Sequence, residues 1–107
     1  MKPKIFKIAA NIEIIPYEQG GRKTNILSGY RPTFYFIDSM GTSGAIIFYD
    51  KTFISPTDKA EVDIYFSNDK YFGTDFQIGK EFVFKEGGRV MGKGIVVFVH
   101  GYVSQIT

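Results

Sequence analysis

The chain has 107 residues, with 13 basic and 11 acidic side chains and a formal net charge of +2; this length suits one domain, and so balanced a charge is no electrostatic footprint of a nucleic-acid binder. With no Cys, disulfides, thiolate zinc sites and Cys nucleophiles are excluded. A composition that is 44% hydrophobic, 22% charged and 17% aromatic excludes a disordered chain.

The start, Met1-Lys2-Pro3-Lys4, is basic and then mildly apolar. Lys7, Asn11 and Glu13 interrupt it before a signal-peptide core forms. No stretch approaches the roughly 20 apolar residues of a membrane span, so the expectation is a soluble, cytoplasmic protein. From there the dominant period is two. Ala10 to Ile14 alternates around Asn11 and Glu13 as a half-buried strand, ended by Pro16 and the Gly20-Gly21 pair. Gly29 to Asp38 contains Thr33-Phe34-Tyr35-Phe36-Ile37, and Pro32 marks a strand start or a sheet edge. Gly44 to Tyr49 is a third apolar run. In the fourth, Ala60, Val62, Ile64 and Phe66 alternate with Glu61, Asp63 and Tyr65. Lys80 to Lys85 and Val90 to Val99 are the last two. Glu86-Gly87-Gly88-Arg89 between them predicts a tight hairpin, because Gly tolerates positive φ.

About six strands, Gly-rich turns and no amphipathic helix predict an all-β antiparallel fold, one domain over residues 1–107. A closed six-stranded barrel is the better form because it removes sticky edges. Its expected interior is Ile12, Ile14, Phe34, Phe36, Val62, Ile64, Phe82, Phe84 and Val96, each apolar at an alternating position. Eleven Phe and seven Tyr exceed what so small a barrel encloses, so some rings are expected outside, where they invite a protein partner or self-association.

The chemistry candidates are few. Gly20-Gly21-Arg22-Lys23-Thr24 has a flavour of a phosphate loop, but the spacing is wrong and no helix follows. His100 is the only His, so a zinc site would need several carboxylates to converge, and no elbow motif frames Ser28 or Ser104 as a nucleophile. Glu61 and Asp63 share one face of a strand and read as a solvated face. Asp58, Asp69 and Asp75 fall in turns. No catalytic, cofactor or metal residue is therefore expected. The basic residues Arg22, Lys23 and Arg31 near Tyr30, with Arg89 and Lys93 near the second Gly-Gly-Arg, have two readings: a phosphate-facing patch, or Arg forks bound to backbone carbonyls.

Three segments carry a family likeness: Glu18-Gln19-Gly20-Gly21-Arg22-Lys23-Thr24, then Gly29-Tyr30-Arg31-Pro32-Thr33-Phe34-Tyr35-Phe36, then Phe82 to Val96 with its Lys85-Glu86-Gly87-Gly88-Arg89 turn. In order and spacing they resemble the third, C-terminal β-barrel domain of bacterial elongation factor Tu, over about residues 7 to 99. A weaker echo is Pro56-Thr57-Asp58, where the family usually has Pro-Gly-Asp. The resemblance implies a six-stranded antiparallel barrel. It implies a surface that, in the full factor, helps hold the T stem of aminoacyl-tRNA and meets the GTPase domain and the exchange factor.

Position by position, Arg22 and Lys23 match a basic pair beside the RNA backbone. Glu86 and Gly87 match a turn on the sugar–phosphate chain, and Thr42 or Ser43, expected in a loop, matches a Thr near the same contact. Lys70, in the longer segment 67–78, replaces a loop Lys. Thr33 stands where the family has Gln, Ile37 where it has Arg and Asn25 where it has Pro, which implies weak tRNA contact. The expectation is a stand-alone, non-catalytic binding module without the GTPase. The alternative is a protein-interaction barrel, a regulator or decoy for partners of the factor, with no RNA binding.

Overall fold

In the computed structural model, which describes residues 4–104, strand β1 spans Ile5–Ile14. It begins earlier than its alternating half suggests. Ala9, facing outward, is also buried, and that apolar residue on the second face hides the period of two. The remaining strands are β2 (Ile26–Leu27), β3 (Thr33–Ile37), β4 (Met40–Phe48), β5 (Phe53–Ile54), β6 (Lys59–Phe66), β7 (Glu81–Glu86) and β8 (Arg89–Val103). Six of them close a barrel in the order β1-β6-β4-β3-β7-β8, every pairing antiparallel. The extra pair, β2 with β5, forms a two-stranded ribbon too short to leave a periodic signal; its Ile26 and Ile54 are buried in the core. Among the described residues the one helical element is a single 3-10 turn at Tyr17–Gln19.

The turns follow their chemistry. Glu86 pairs with Arg89, and Gly87 and Gly88 between them have φ of 59° and 81°. Two successive positive φ values make the mirror-image type of hairpin turn that fits the strand twist. Before β6, the Asp58 N–H donates to the Ser55 carbonyl (3.0 Å), and Thr57 at the third position of that turn has φ of 76°. Pro before a left-handed residue is the pattern of a turn that wants Gly there; this chain puts a β-branched side chain in its place.

All nine residues expected inside are buried. Phe34 lies at the centre of the rings, 5.2 Å from Phe66 and 5.6 Å from Phe84. Gly94 makes room for its neighbours. A Cβ there would stand 2.6 Å from the Phe82 ring and 2.8 Å from the Asn11 carbonyl oxygen.

The segment 67–80 is largely exposed, but it sends two rings inward. Phe72 and Phe76 fold back into the open end of the barrel, 4.5 Å apart. Phe72 meets Phe6, Phe36 and Phe66 at 5.3, 4.6 and 4.9 Å and is 2% exposed. It is a plug, and no strand or helix period announces it.

Candidate functional site

The hairpin turn at the other end of the barrel collects the matched residues. Glu86 is the last residue of β7, held there by its pairing with Arg89. Arg22 lies 64 residues away, on the loop that Gly20 turns with φ of 94°. The two meet: the Arg22 Nη1 donates to Glu86 Oε1 at 2.7 Å, and the Tyr30 hydroxyl donates to the same oxygen at 2.7 Å. Arg22 also lies over the Tyr30 ring, 5.3 Å from its centroid, and its Nη2 donates to Thr24 Oγ1 at 2.9 Å. Its Nε is buried without a partner.

The electrostatics follow from this geometry. The hydrogen bond from Tyr30, then the Arg22 charge and hydrogen bond, hold the Glu86 carboxyl below the usual carboxylate range, against some desolvation. Burial, then the hydrogen bond to Glu86, push the Tyr30 hydroxyl well above the ordinary phenol range. Glu86 is thus ionised and Tyr30 is a neutral donor at neutral pH. No group in the cluster is poised near neutrality for proton transfer.

Lys23 follows Arg22 and stands 4.7 Å over the Tyr17 ring. Lys85 precedes Glu86 and stands 4.7 Å over Tyr35. Thr42 and Ser43 lie inside β4, correcting the expectation that they form a loop. The run Met40-Gly41-Thr42-Ser43-Gly44 lacks an apolar alternation, yet it pairs with β3. Ser43 pairs with Thr33, and Thr33 pairs on its other side with Lys85. One outer row therefore runs Ser43, Thr33, Lys85. Glu86, the next residue, turns to the other face and meets Arg22. Gly87 is exposed at the turn. Arg22, with Lys23 beside it, Glu86 and Gly87 form a charged band at the hairpin; Ser43 lies on the outer row, and Thr42, paired with the inward-facing Phe34, is on the opposite side of the sheet.

The two readings of the Arg residues separate. Arg89 donates from Nε to the Gly20 carbonyl (3.1 Å) and from Nη2 to the Gly21 carbonyl (3.2 Å), as a fork that ties the two Gly-Gly-Arg segments together. Arg31 is exposed. Lys70 is exposed on the plug segment at the opposite end and does not join the band.

The sequence missed Tyr30 and Lys85 as members. Tyr30 sits in a matched segment, but nothing in its spacing announces a bond to a residue 56 positions away.

Elsewhere, Glu61 is exposed. Asp63 accepts a hydrogen bond from the Tyr49 hydroxyl (3.1 Å) and lies 3.6 Å from the Lys7 ammonium, so its charge is spent on the barrel wall. A groove of about 550 Å³ on the outer wall is lined by Asn11, Glu13, Lys59, Glu61, Lys93 and Ile95. It interleaves both signs of charge and touches none of the matched residues. Among the described residues no group of His, Asp and Glu gathers to hold a metal ion, and no helix is long and apolar enough to cross a membrane.

In class the chain is a closed six-stranded antiparallel β-barrel with a charged band at its hairpin end. Comparison with family models assigns it: residues 3–100 match the elongation factor Tu C-terminal domain, and the chain belongs to that family. The domain of that family is a non-catalytic one.

Proposed function

We propose that this chain is a non-catalytic module that touches an RNA backbone through Arg22, Lys23, Glu86 and Gly87, with the Thr42–Ser43 stretch of β4 nearby contributing through the outward-facing Ser43. The observation that carries the reading is the meeting of Arg22 with Glu86, 64 residues away in the chain, at the Gly87–Gly88 turn. Lys23 beside Arg22 and Lys85 beside Glu86 add two cations that no carboxylate pairs among the described residues. Lys and Arg neutralising phosphates supply sequence-independent affinity, and the Gly87–Gly88 turn lets a sugar–phosphate chain approach the backbone closely. The contact is weak, because Arg22 is already paired with Glu86 and Ile37 and Thr33 offer no charge. The setting is the cytoplasm, in keeping with a chain without Cys.

Titrating tRNA, charged and uncharged, across a salt series tests this. The expected dissociation constant at physiological salt is no tighter than about 10⁻⁵ M. Replacing Arg22 and Lys23 together by Ala should lower the salt slope by about two. Absence of binding even at low salt would overturn it.

The second reading is a barrel that binds proteins met by elongation factor Tu. It is favoured by the exposed Phe98, Tyr49 and Phe53, at 52%, 52% and 48%, together with the internal neutralisation of Arg22. Salt-insensitive capture of a protein partner would select it.

A further inference from the structure

Strand β8 outruns its neighbour. On one side it pairs with β1 from Gly92 to Val103. On the other, the register with β7 ends at Glu81 with Ile95. The last backbone bonds on that side join Val96 to the Gly79–Lys80 segment, with Gly79 N–H to the Val96 carbonyl at 2.8 Å and Val96 N–H to the Lys80 carbonyl at 2.9 Å. Beyond Val96, no backbone partner among the described residues covers that side of β8. Among the described residues, Val97 to Val103 is therefore a free edge on an otherwise closed barrel, about 20 Å long at strand spacing.

The edge reads Val-Phe-Val-His-Gly-Tyr-Val and holds no Lys, Arg, Asp, Glu or Pro, the residues that ordinarily guard an open edge. Two irregularities in the β1 register leave Val97 and His100 without a partner there and add twist. Phe98, which pairs with the outward-facing Ala9, is 52% exposed. The Phe98 and His100 rings stand edge to face at 4.8 Å, outside the barrel.

The geometry points to Val97–Val103 as a dimerisation edge, pairing antiparallel with the same segment of a second copy of this chain. The edge's unpaired N–H and C=O groups are satisfied by an added strand. Its occupant must be uncharged along the contact, because a charge buried there without a partner is costly. The same segment of a second copy meets that condition, having no formally charged residue from Gly94 to Val103. Antiparallel pairing about a two-fold axis is self-complementary, and it closes at two copies instead of propagating into a filament. It also sets the exposed Phe98 of each copy on a shared aromatic face.

Analytical ultracentrifugation from roughly 5 to 500 μM, with amide hydrogen exchange at both ends of the range, tests this. Expected are a reversible monomer–dimer equilibrium and slower exchange at residues 97–103 as concentration rises. His100→Lys should weaken the dimer at least about tenfold, since residue 100 is the centre of the pairing and meets its own copy, which sets like charges across the joint. Its circular dichroism and melting temperature should match the parent, because the side chain is already outside. Should His100→Lys fail to fold, Phe98→Lys, which sets a charge opposite Tyr102 of the second copy, gives the same reading. Leu27→Lys, at a distant position that is 64% exposed, should leave the dimer intact. A monomer throughout the range would overturn the proposal. So would a dimer indifferent to both Lys variants on β8, or one without protection at residues 97–103.

Discussion

The two ends of the barrel are closed by different physics. At the hairpin end, Arg22, Tyr30 and Glu86 form a small set of directed bonds around one carboxylate oxygen. At the opposite end, Phe72 and Phe76 fill the mouth with undirected aromatic contact, Phe72 against Phe6, Phe36 and Phe66. The hairpin end is solvated and charged, so its contacts add little to stability. The plugged end is buried, and its contacts carry folding energy instead.

Removing the plug should have the largest effect. Phe72→Ala should cost about 3–5 kcal/mol, measured by chemical denaturation, as a buried ring lost to a cavity does. A cost below about 1 kcal/mol would show that segment 67–80 is an outside loop and would erase the contrast between the ends.

Gly94→Ala probes the wall between them. Its added methyl meets the Phe82 ring and the Asn11 carbonyl, so about 1–3 kcal/mol should be lost through overpacking. Thr57→Gly should act in the opposite sense, stabilising the chain by about 1 kcal/mol through relief of the left-handed β-branched residue. A melting temperature unchanged or lowered by Thr57→Gly would show that the turn tolerates Thr without strain.

The smallest effect belongs to the hairpin end. The Glu86 carboxyl is held low by Tyr30 and then Arg22. Its contribution is therefore present above the unfolded value of about 4.3 and is lost as pH falls through the folded value. With the Glu86 side chain 51% exposed, solvent and salt reduce it to a few tenths of a kcal/mol. Glu86→Gln should remove that acid-side dependence, read from denaturation midpoints between about pH 2 and 6. A loss comparable to that of Phe72→Ala would make the polar cluster a structural clasp and not a recognition surface.

The strands of the barrel were legible wherever one face is buried and the other wet, as in β6. There Val62 and Ile64 turn in while Glu61 and Asp63 turn out. The hairpin was legible because Gly87 and Gly88 carry the turn's φ requirement in their own chemistry. The matched residues were legible through likeness of segments, but not what holds them. The bond from Arg22 to Glu86 spans 64 positions, and no local period encodes a contact between two loops. Thr42 and Ser43 looked like loop residues because their strand has no apolar alternation; the pairing of β4 with β3 decides their state. The plug was illegible for a related reason. Phe72 and Phe76 sit in irregular backbone, and only the open end of a closed barrel gives their rings somewhere to go.

What the sequence by itself determined is therefore the set of locally enforced features: strand faces, turn types and the absence of thiol chemistry. Which carboxylate Arg22 meets, which loop seals the barrel and which part of β8 stays unpaired were decided by closure of the barrel. Closure fixes strand order and register together, and so brings together residues that local chain geometry leaves far apart.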